Sequence, residues 1–212
     1  MDTIIDIKRV NKNFRSINVL NNITVKFETG LVHGIVGKNG SGKTLMAKLI
    51  CGLLRPDTGE VRVNGQLIGK ETDFPLNTGA IIETPGFIPY YSGYKNLEYL
   101  ASFYPNIKRK NIEEIMISVG LNPTEKKHVG KYSLGMKQRL GIAQSLLGNP
   151  KLLVLDEPFN GLDHDGVIAM RDLLKQKNNS GVTILLASHY EEDISILCHK
   201  TYQMEAGKIY EK

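Results

Sequence analysis

The sequence has no run of apolar residues long enough to cross a lipid bilayer, and it has only two cysteines. A spanning helix needs about 20 consecutive apolar residues, so we expect no membrane-spanning segment. Residues 1–6 lack the basic and apolar regions of a signal peptide, which predicts a cytoplasmic protein. Cys51 and Cys198 stand alone without metal-ligand spacing, and we interpret them as buried thiols.

Composition and charge narrow the class of protein further. The 212 residues are 41% hydrophobic and 23% charged, which indicates one globular unit with its own core. The formal net charge of +5 is compatible with a nucleic-acid partner. The basic residues are widely spread, however, so we expect none. The densest run, residues 108–110, is interpreted as a helix start or solvated surface, with contact to anionic lipid as the alternative.

One glycine-rich segment carries the first chemical signal. It matches G-x-x-x-x-G-K-[ST], the phosphate-binding P-loop, with Gly37, Lys38, Asn39, Gly40, Ser41, Gly42, Lys43 and Thr44. Glycine recurs in such loops because the backbone N–H groups must approach the phosphates closely. Lys43 would reach the β- and γ-phosphates, and the Thr44 hydroxyl would bind Mg²⁺. An apolar strand precedes this loop and a helix follows it, which is the context that a P-loop needs.

Strands and helices alternate along most of the chain. The predicted strands cover residues 3–10, 19–28, 31–36, 60–63, 66–68, 79–82, 152–155, 182–187, 201–204 and 208–210. The predicted helices cover residues 44–50, 94–103, 109–119, 133–147, 166–177 and 191–197. This order predicts an α/β fold: a P-loop NTPase core with a parallel sheet and an N-terminal antiparallel β subdomain, over residues 1–83 and 150–212. Residues 84–149 would form an inserted α-helical subdomain.

Two carboxylates end a buried strand. Four apolar residues, 152–155, lead directly into Asp156 and Glu157. Acids at the carboxyl edge of a parallel sheet suit the chemistry of Mg²⁺ and water. Asp156 would hold the metal, and Glu157 would polarise the attacking water as general base. The alternative, that both carboxylates only cap the next loop, is disfavoured by the P-loop earlier in the chain.

A third motif indicates a family. Residues 133–138, SLGMKQ, open a predicted helix and are similar to the LSGGQ signature. With the P-loop and the strand-ending acids in the same order, the whole chain resembles the ATP-binding subunit of ABC transporters. The resemblance implies that Ser133 and Gly135 bind the γ-phosphate of an ATP held by a second subunit, with Gln138 also at the nucleotide. Ser133 would in addition cap its helix.

Three further residues take their roles from this resemblance alone. Phe14 falls where the family has an aromatic residue that stacks on adenine, with packing on the sheet as the alternative. Asp163, after Gly161 and Leu162, matches the D-loop and would contact the partner subunit; alone, it would be a helix cap. His189 matches the switch histidine, which contacts the γ-phosphate and the attacking water. Lys43, Glu157 and His189 would then be the catalytic residues.

The chain departs from the family pattern at Glu83, where the family usually has glutamine. A glutamate oxygen also binds Mg²⁺, so we expect the metal contact to survive. The added negative charge near the phosphates should make the site depend more strongly on bound Mg²⁺. The signature departs as well, with Tyr132, Leu134, Met136 and Lys137 as variants. We expect an active site nonetheless, because the helix start, the serine and the glycine remain.

The resemblance also implies cofactors and partners. ATP and Mg²⁺ would bind between two copies of the chain arranged head to tail as a homodimer. A separate membrane-spanning permease would hold the dimer at the inner face of the cell membrane. Residues 82–87, IETPGF, with Asn96 and Leu97, resemble the subgroup that exports bacitracin- or lantibiotic-type peptides; export of another drug is the alternative. The irregular segment 83–93 would dock on the permease through its apolar side chains, unless these pack internally: Phe87, Ile88, Tyr90 and Tyr91.

Two other functions compete with this one. The first is a soluble ABC-type ATPase acting in assembly, repair or translation, although such relatives often have long coiled coils or two ATPase halves in one chain. The second is an ATP-gated binding or immunity subunit that no longer hydrolyses ATP. The intact set of Lys43, Asp156, Glu157 and His189 argues against that second function.

Overall fold

Two β-sheets form the frame of the molecule. The computed structural model describes residues 2–14 and 17–212. An antiparallel sheet has the order β2-β1-β4-β5, with strands β1 (Thr3–Phe14), β2 (Ile17–Glu28), β4 (Thr58–Val63) and β5 (Gln66–Leu67). A six-stranded sheet has the order β10-β9-β3-β8-β7-β6, with strands β3 (Val32–Val36), β6 (Thr78–Ile81), β7 (Leu152–Asp156), β8 (Thr183–Ser188), β9 (Lys200–Glu205) and β10 (Lys208–Glu211).

The pairing in the larger sheet brings the predicted motifs to one edge. Strands β6, β7, β8, β3 and β9 run parallel, and only β10 is antiparallel to its neighbour. Val36, the last residue of β3, lies opposite Ser188 of β8, and Asp156 of β7 lies opposite Ala187. Since the carboxyl ends of parallel strands share one edge, the P-loop, Glu157 and His189 follow neighbouring strands.

Residues 2–14 and 17–212 contain six α-helices: α1 (Lys43–Ile50), α2 (Gly93–Ala101), α3 (Arg109–Ser118), α4 (Leu134–Ser145), α5 (His164–Asn179) and α6 (Glu191–Leu197). The residues of β7 are all buried and alternate between two cores. Leu152 and Val154 join the core made with the antiparallel sheet and α1, whereas Leu153 and Leu155 join the core made with the other helices. A strand buried on both faces is the reason for its continuous apolar sequence. The predicted fold class is confirmed.

The first two strands were predicted to cover residues 3–10 and 19–28, which leaves a loop between them, and these bounds are too short. The hairpin of β1 and β2 continues to Phe14, which pairs with Ile17. Its outer end carries register shifts and exposed polar side chains, so the sequence does not alternate there. Asp57 supports this end by accepting hydrogen bonds from Lys12 Nζ and from the backbone N–H of Asn13, both at 2.7 Å.

Three smaller expectations also have outcomes. Across residues 2–14 and 17–212, no helix has both the length and the apolar character needed to cross a membrane. The interpretation as buried thiols holds for Cys51, whereas Cys198 is half-buried; burial raises the pKa of each thiol to about 12. Helix α3 begins at Arg109, so the basic run at 108–110 is a helix start.

Candidate functional site

The P-loop has a backbone that only glycine fits at two positions. A Cβ atom added to Gly37 would lie 2.4 Å from the carbonyl oxygen of Met204. Gly42 has φ +110°, and a Cβ there would lie 2.8 Å from side-chain carbons of Leu20 and Met204. The left-handed conformation and the close contacts both exclude a side chain. The loop therefore lies tightly against β2 and β9 and turns directly into α1.

Lys43 places a buried charge inside this loop. It is the first residue of α1 and is 5% exposed. Its Nζ donates hydrogen bonds to the carbonyl oxygens of Gly37 at 2.6 Å and Lys38 at 3.3 Å, and it lies 3.9 Å from Glu157 Oε1. The positive end of the α1 dipole adds to this charge. The loop is therefore electrostatically ready for an anion such as a phosphate.

Thr44 and Asp156 form a direct contact between α1 and the end of β7. The Thr44 hydroxyl donates to Asp156 Oδ2 at 2.7 Å. Burial raises the pKa of Asp156, while the Thr44 hydrogen bond and the positive charge of Lys43 lower it. The other oxygen, Asp156 Oδ1, is buried and has no hydrogen-bond partner among the described residues. A buried carboxylate oxygen without a partner is costly, so this atom is suited to a ligand that supplies positive charge.

Glu157 and His189 face each other across the ends of β7 and β8. His189 Nδ1 lies 2.8 Å from Glu157 Oε2. An ionised carboxylate can only accept, so Nδ1 carries the hydrogen in this contact, and Nε2 is an acceptor in a neutral ring and a donor in a protonated one. The backbone of Glu157 has φ +50° and donates its N–H to the Ala187 carbonyl oxygen at 2.9 Å. A left-handed glutamate is strained, and such strain often occurs at functional sites.

The donor set at this edge fits a hard cation beside a phosphate. Three buried side-chain oxygens have no partner among the described residues: Asp156 Oδ1, Glu157 Oε1 and Ser41 Oγ. Magnesium takes oxygen ligands and usually keeps several waters, with one or two carboxylates from the protein. A sparse set of oxygens beside the P-loop is consistent with this preference. The arrangement does not require a cluster of three or more acidic or histidine ligands, and none occurs in residues 2–14 and 17–212.

Glu83, the third predicted metal ligand, has its side chain paired with a lysine of α1 in the structure. Its Oε1 accepts a hydrogen bond from Lys48 Nζ of α1 at 2.8 Å, and its side chain is 62% exposed. The backbone of Glu83 is left-handed, with φ +59°. The ion pair with Lys48 thus differs from the expected contact, and binding of Glu83 to Mg²⁺ stays a prediction. Phe14 is 44% exposed at the end of β1, and its contact with adenine also stays a prediction.

The signature residues line a surface hollow that is separate from the P-loop. Ser133 is the N-cap of α4, where its Oγ accepts from the Met136 N–H at 3.2 Å. Gly135 lies so close to the D-loop that an added Cβ would be 2.9 Å from the Gly161 carbonyl oxygen. Asp163 caps α5 by accepting from the Gly166 N–H at 3.1 Å. Ser133, Gly135 and Asp163 therefore line one hollow at two helix starts, which favours an anion.

Gln138 has a role that differs from the predicted nucleotide contact. It is 6% exposed, and its Nε2 donates to the carbonyl oxygens of Pro158 at 2.8 Å and Glu157 at 3.3 Å. The side chain is directed into the molecule because α4 packs against the segment after β7. Gln138 therefore holds the backbone that carries Glu157. The sequence motif located this residue but not its partners.

The segment between β6 and α2 is joined to the residues before the signature. The N–H of Val129 donates to the Tyr91 carbonyl oxygen at 2.8 Å, and the N–H of Gly130 donates to the Pro89 carbonyl oxygen at 2.9 Å. Tyr90 is 77% exposed and Tyr91 is 40% exposed. Phe87, in contrast, packs against the helical core, so that one aromatic of the predicted docking segment packs internally.

A protein-family comparison identifies the chain. The ABC transporter model matches residues 20–160. The chain belongs to the ABC transporter family. It is 37% identical to the bacitracin transport ATP-binding protein BcrA of Enterococcus faecalis, over 100% of this chain and 70% of that relative. It is 32% identical to the lantibiotic transport ATP-binding protein SrtF of Streptococcus pyogenes, over 97% of this chain and 89% of that relative. The predicted resemblance is confirmed.

A solved structure gives the same answer for the fold. The dimeric, ADP- and phosphate-bound cassette MJ0796 superposes with a TM-score of 0.89 at 23% identity, over 98% of this chain and 97% of that one. This chain is an ATP-binding, ATP-hydrolysing subunit of an ABC transporter. Such subunits pair with membrane permeases and dimerise. The competing soluble ABC-type ATPase is not favoured.

Proposed function

We propose that two copies of this chain bind two ATP molecules head to tail and drive a separate permease that exports a peptide antibiotic or a drug. One observation carries the proposal: the chain presents two hollows that share no lining residue. The P-loop hollow includes Gly37, Lys38 and His189, and the signature hollow includes Ser133 and Gly135. Each is half of a nucleotide site. A two-fold dimer would complete both halves with identical geometry.

Within the P-loop half, different residues would bind the phosphates, the adenine and the magnesium ion. Lys43 and the loop N–H groups, from Gly37 to Thr44, would bind the phosphates, and Phe14 would stack on adenine. Thr44 and Asp156 would hold magnesium, with Glu83 as a further oxygen donor. When bound, the ion would neutralise charge on the phosphate oxygens.

Hydrolysis requires a group that accepts a proton from the attacking water. Glu157 is suited to this role because Oε1 accepts no hydrogen bond from the described residues, with Lys43 Nζ 3.9 Å away, while His189 holds Oε2. His189 Nε2 would accept from the attacking water when the ring is neutral, and it would donate to the γ-phosphate when the ring is protonated. Ser133 and Gly135 of the second copy would contact the same phosphate, and Asp163 would contact the partner chain near it.

The docking surface is proposed at segment 83–93. Tyr90 and Tyr91 are its exposed apolar side chains, and they would bind a cytoplasmic helix of the permease. Such binding would place the dimer peripherally at the inner face of the membrane, where it would bind ATP and Mg²⁺ from the cytoplasm. Residues 84–149 would act as a helical subdomain beside the ATPase core of residues 1–83 and 150–212. Export is supported by the two relatives named for bacitracin and lantibiotic transport.

The test is to capture the assembled complex in its ATP-bound state. Glu157→Gln removes the proton acceptor but keeps the size of the side chain, so we expect dimers that retain ATP and a turnover about 100-fold lower. The variant would be purified from gently solubilised membranes with ATP and Mg²⁺ and analysed by mass spectrometry. Stoichiometric recovery of a multi-span membrane protein would support the proposal. Recovery of ribosomes, nucleic acid or soluble protein alone would overturn it.

Two matched variants define what a failure means. Glu114→Gln makes the same chemical change on the exposed surface of α3, where the carboxylate has a surface ion pair with Lys110 at 3.7 Å. This variant should hydrolyse ATP at the wild-type rate. Lys43→Ala should weaken nucleotide binding or catalysis. If Glu157→Gln hydrolysed ATP at the wild-type rate, Glu157 would not be the general base, whatever the purification recovered.

A further inference from the structure

A buried ion pair lies behind the switch histidine. Arg171 of α5 is 9% exposed and Asp193 of α6 is 3% exposed. Arg171 Nε donates to Asp193 Oδ1 at 3.0 Å, and Nη1 donates to Glu192 Oε1 at 3.1 Å. Such a pair loses the hydration of both charges, so it often adds no net stability relative to apolar residues of the same size. Its geometry indicates a role in orientation.

The second oxygen of Asp193 reaches the residues on both sides of His189. Ser188 Oγ donates to Asp193 Oδ2 at 3.3 Å, and the N–H of Tyr190 donates to Ser188 Oγ at 3.1 Å. The Tyr190 ring also lies against the His189 ring, with centroids 3.9 Å apart. The backbone before and after His189 is therefore fixed by one hydroxyl that Asp193 orients.

The other end of this network belongs to the surface proposed to meet the second copy. Helix α5 begins at the Asp163 cap in the signature hollow, and Arg171 follows later on the same helix. A rigid helix transmits a displacement at its start to residues further along. Any movement of Asp163 would thus reach Asp193 through Arg171.

We propose that Arg171 is a positioning residue for ATP hydrolysis: through Asp193 and Ser188 it holds His189 against Glu157 Oε2 and links that contact to the start of α5. The inference rests on the proposed roles of Glu157 and His189. It adds a cause for the orientation of the histidine, which neither the P-loop nor the signature supplies.

The experiment separates turnover from binding. Arg171→Met and Ser188→Ala should lower kcat about 10- to 100-fold, because small displacements of a catalytic group cost rate steeply. The KM for ATP and the affinity for ADP should stay within about threefold, since the P-loop contacts to the phosphates stay in place. Arg171→Lys should recover only part of kcat, because an ammonium group cannot bind two carboxylates with the planar fork of arginine.

Two controls separate positioning from stability. Leu173→Ala removes a buried side chain from the same helix and should lower Tm without changing kcat. The double variant Arg171→Met/Asp193→Leu replaces the ion pair with apolar groups, and it should regain Tm but not kcat. If kcat instead returned with Tm, the role of Arg171 would be structural and the proposal would fail.

A double-mutant cycle with His189→Ala completes the test. If Arg171 acts through the histidine, Arg171→Met should cause no further loss of kcat in that background. Independent, multiplicative losses would overturn the inference while leaving the role of His189 intact. A wild-type kcat for His189→Ala alone would instead overturn the proposed role of the histidine, and with it the basis for positioning by Arg171.

Discussion

Lys48 Nζ donates a hydrogen bond to Glu83 Oε1 at 2.8 Å, which ties the helix after the P-loop to the residue where this chain departs from its family. The Glu83 side chain is 62% exposed and the Lys48 side chain is 27% exposed, so the pair lies at the surface and adds little stability. Its consequence is geometric, because it holds the Glu83 carboxylate on α1. Transfer of Glu83 to magnesium would have to break this pair.

We therefore expect Lys48→Met to lower the concentration of Mg²⁺ that gives half-maximal ATPase activity, because the Glu83 carboxylate is released. Glu83→Gln should leave ATPase activity in place but raise that concentration, since the negative charge is lost. Parallel Mg²⁺ titrations of the two variants measure both effects. Lys95→Met, on α2, is the control for removal of a lysine charge. Superimposable titrations for Glu83→Gln and the wild type would argue against direct contact with the metal.

Gln138→Met should reduce kcat about tenfold with little change in KM, because the carbonyl oxygens of Glu157 and Pro158 lose their donor and the backbone of the base shifts. Steady-state ATPase kinetics give both parameters. Gln144→Met makes the same change on the same helix, where Oε1 is buried without a partner among the described residues. That control should have wild-type kcat and equal or higher Tm. Equal kinetics for both variants would remove the positioning role of Gln138.

Tyr132→Phe should separate coupling from hydrolysis. The Tyr132 hydroxyl accepts a hydrogen bond from the Gly93 N–H at 3.2 Å, so it joins the residue before the signature to the start of α2. Its removal leaves a buried donor unpaired, at a cost of about 1–3 kcal/mol. Basal ATPase activity should persist, while stimulation by the permease in proteoliposomes should fall severalfold. Tyr104→Phe is the control, and full stimulation of Tyr132→Phe would contradict the prediction.

His33 should make the fold less stable in mild acid. Burial lowers the pKa of His33, whose Nε2 lies 2.9 Å from the Glu28 carbonyl oxygen and whose Nδ1 has no partner among the described residues. The unfolded chain, with a histidine pKa of about 6.5, then binds the proton more tightly than the folded chain. The stability that His33 contributes is present above that pKa and is lost as the pH falls below it.

The measurement is Tm as a function of pH. The wild type should lose more Tm between pH 7 and pH 5 than His33→Gln does, because the variant has no buried imidazole to protonate. His164→Gln removes an exposed histidine and should follow the wild type. A His33→Gln curve parallel to that of the wild type would show that acid acts elsewhere.

Local strings in the sequence were enough to predict the P-loop, the strand-ending acids and the parallel pairing of the larger sheet, but not its strand order. Each depends on residues that are neighbours in the chain, such as Lys43 and Thr44 or Asp156 and Glu157. These motifs lie side by side at one edge because the strands before them are parallel. The pairing of Val36 with Ser188 is one example. Those parts of the candidate site required no knowledge of distant contacts.

The remaining features depend on contacts between segments far apart in sequence. Nothing near Gln138 indicates that its amide binds Pro158, 20 residues away, and nothing near Glu83 indicates Lys48, 35 residues away. Arg171 looks like any charged residue on an amphipathic helix until its burial is known. The hairpin end at Phe14 was missed because an exposed, bulged pair of strands places no alternating apolar face in the sequence.

The hydrogen bonds of Gln138 have a consequence for how two copies work together. Ser133, the N-cap of helix α4, would bind the neighbour's ATP. The same helix carries Gln138, which holds the backbone of Glu157 and Pro158 beside the copy's own ATP. In the proposed dimer, a movement of α4 away from the neighbour's ATP would therefore also shift the backbone of Glu157. In a symmetric dimer the dependence holds in both directions. Hydrolysis at the two sites would then be coupled, either simultaneous or strictly alternating, and not independent.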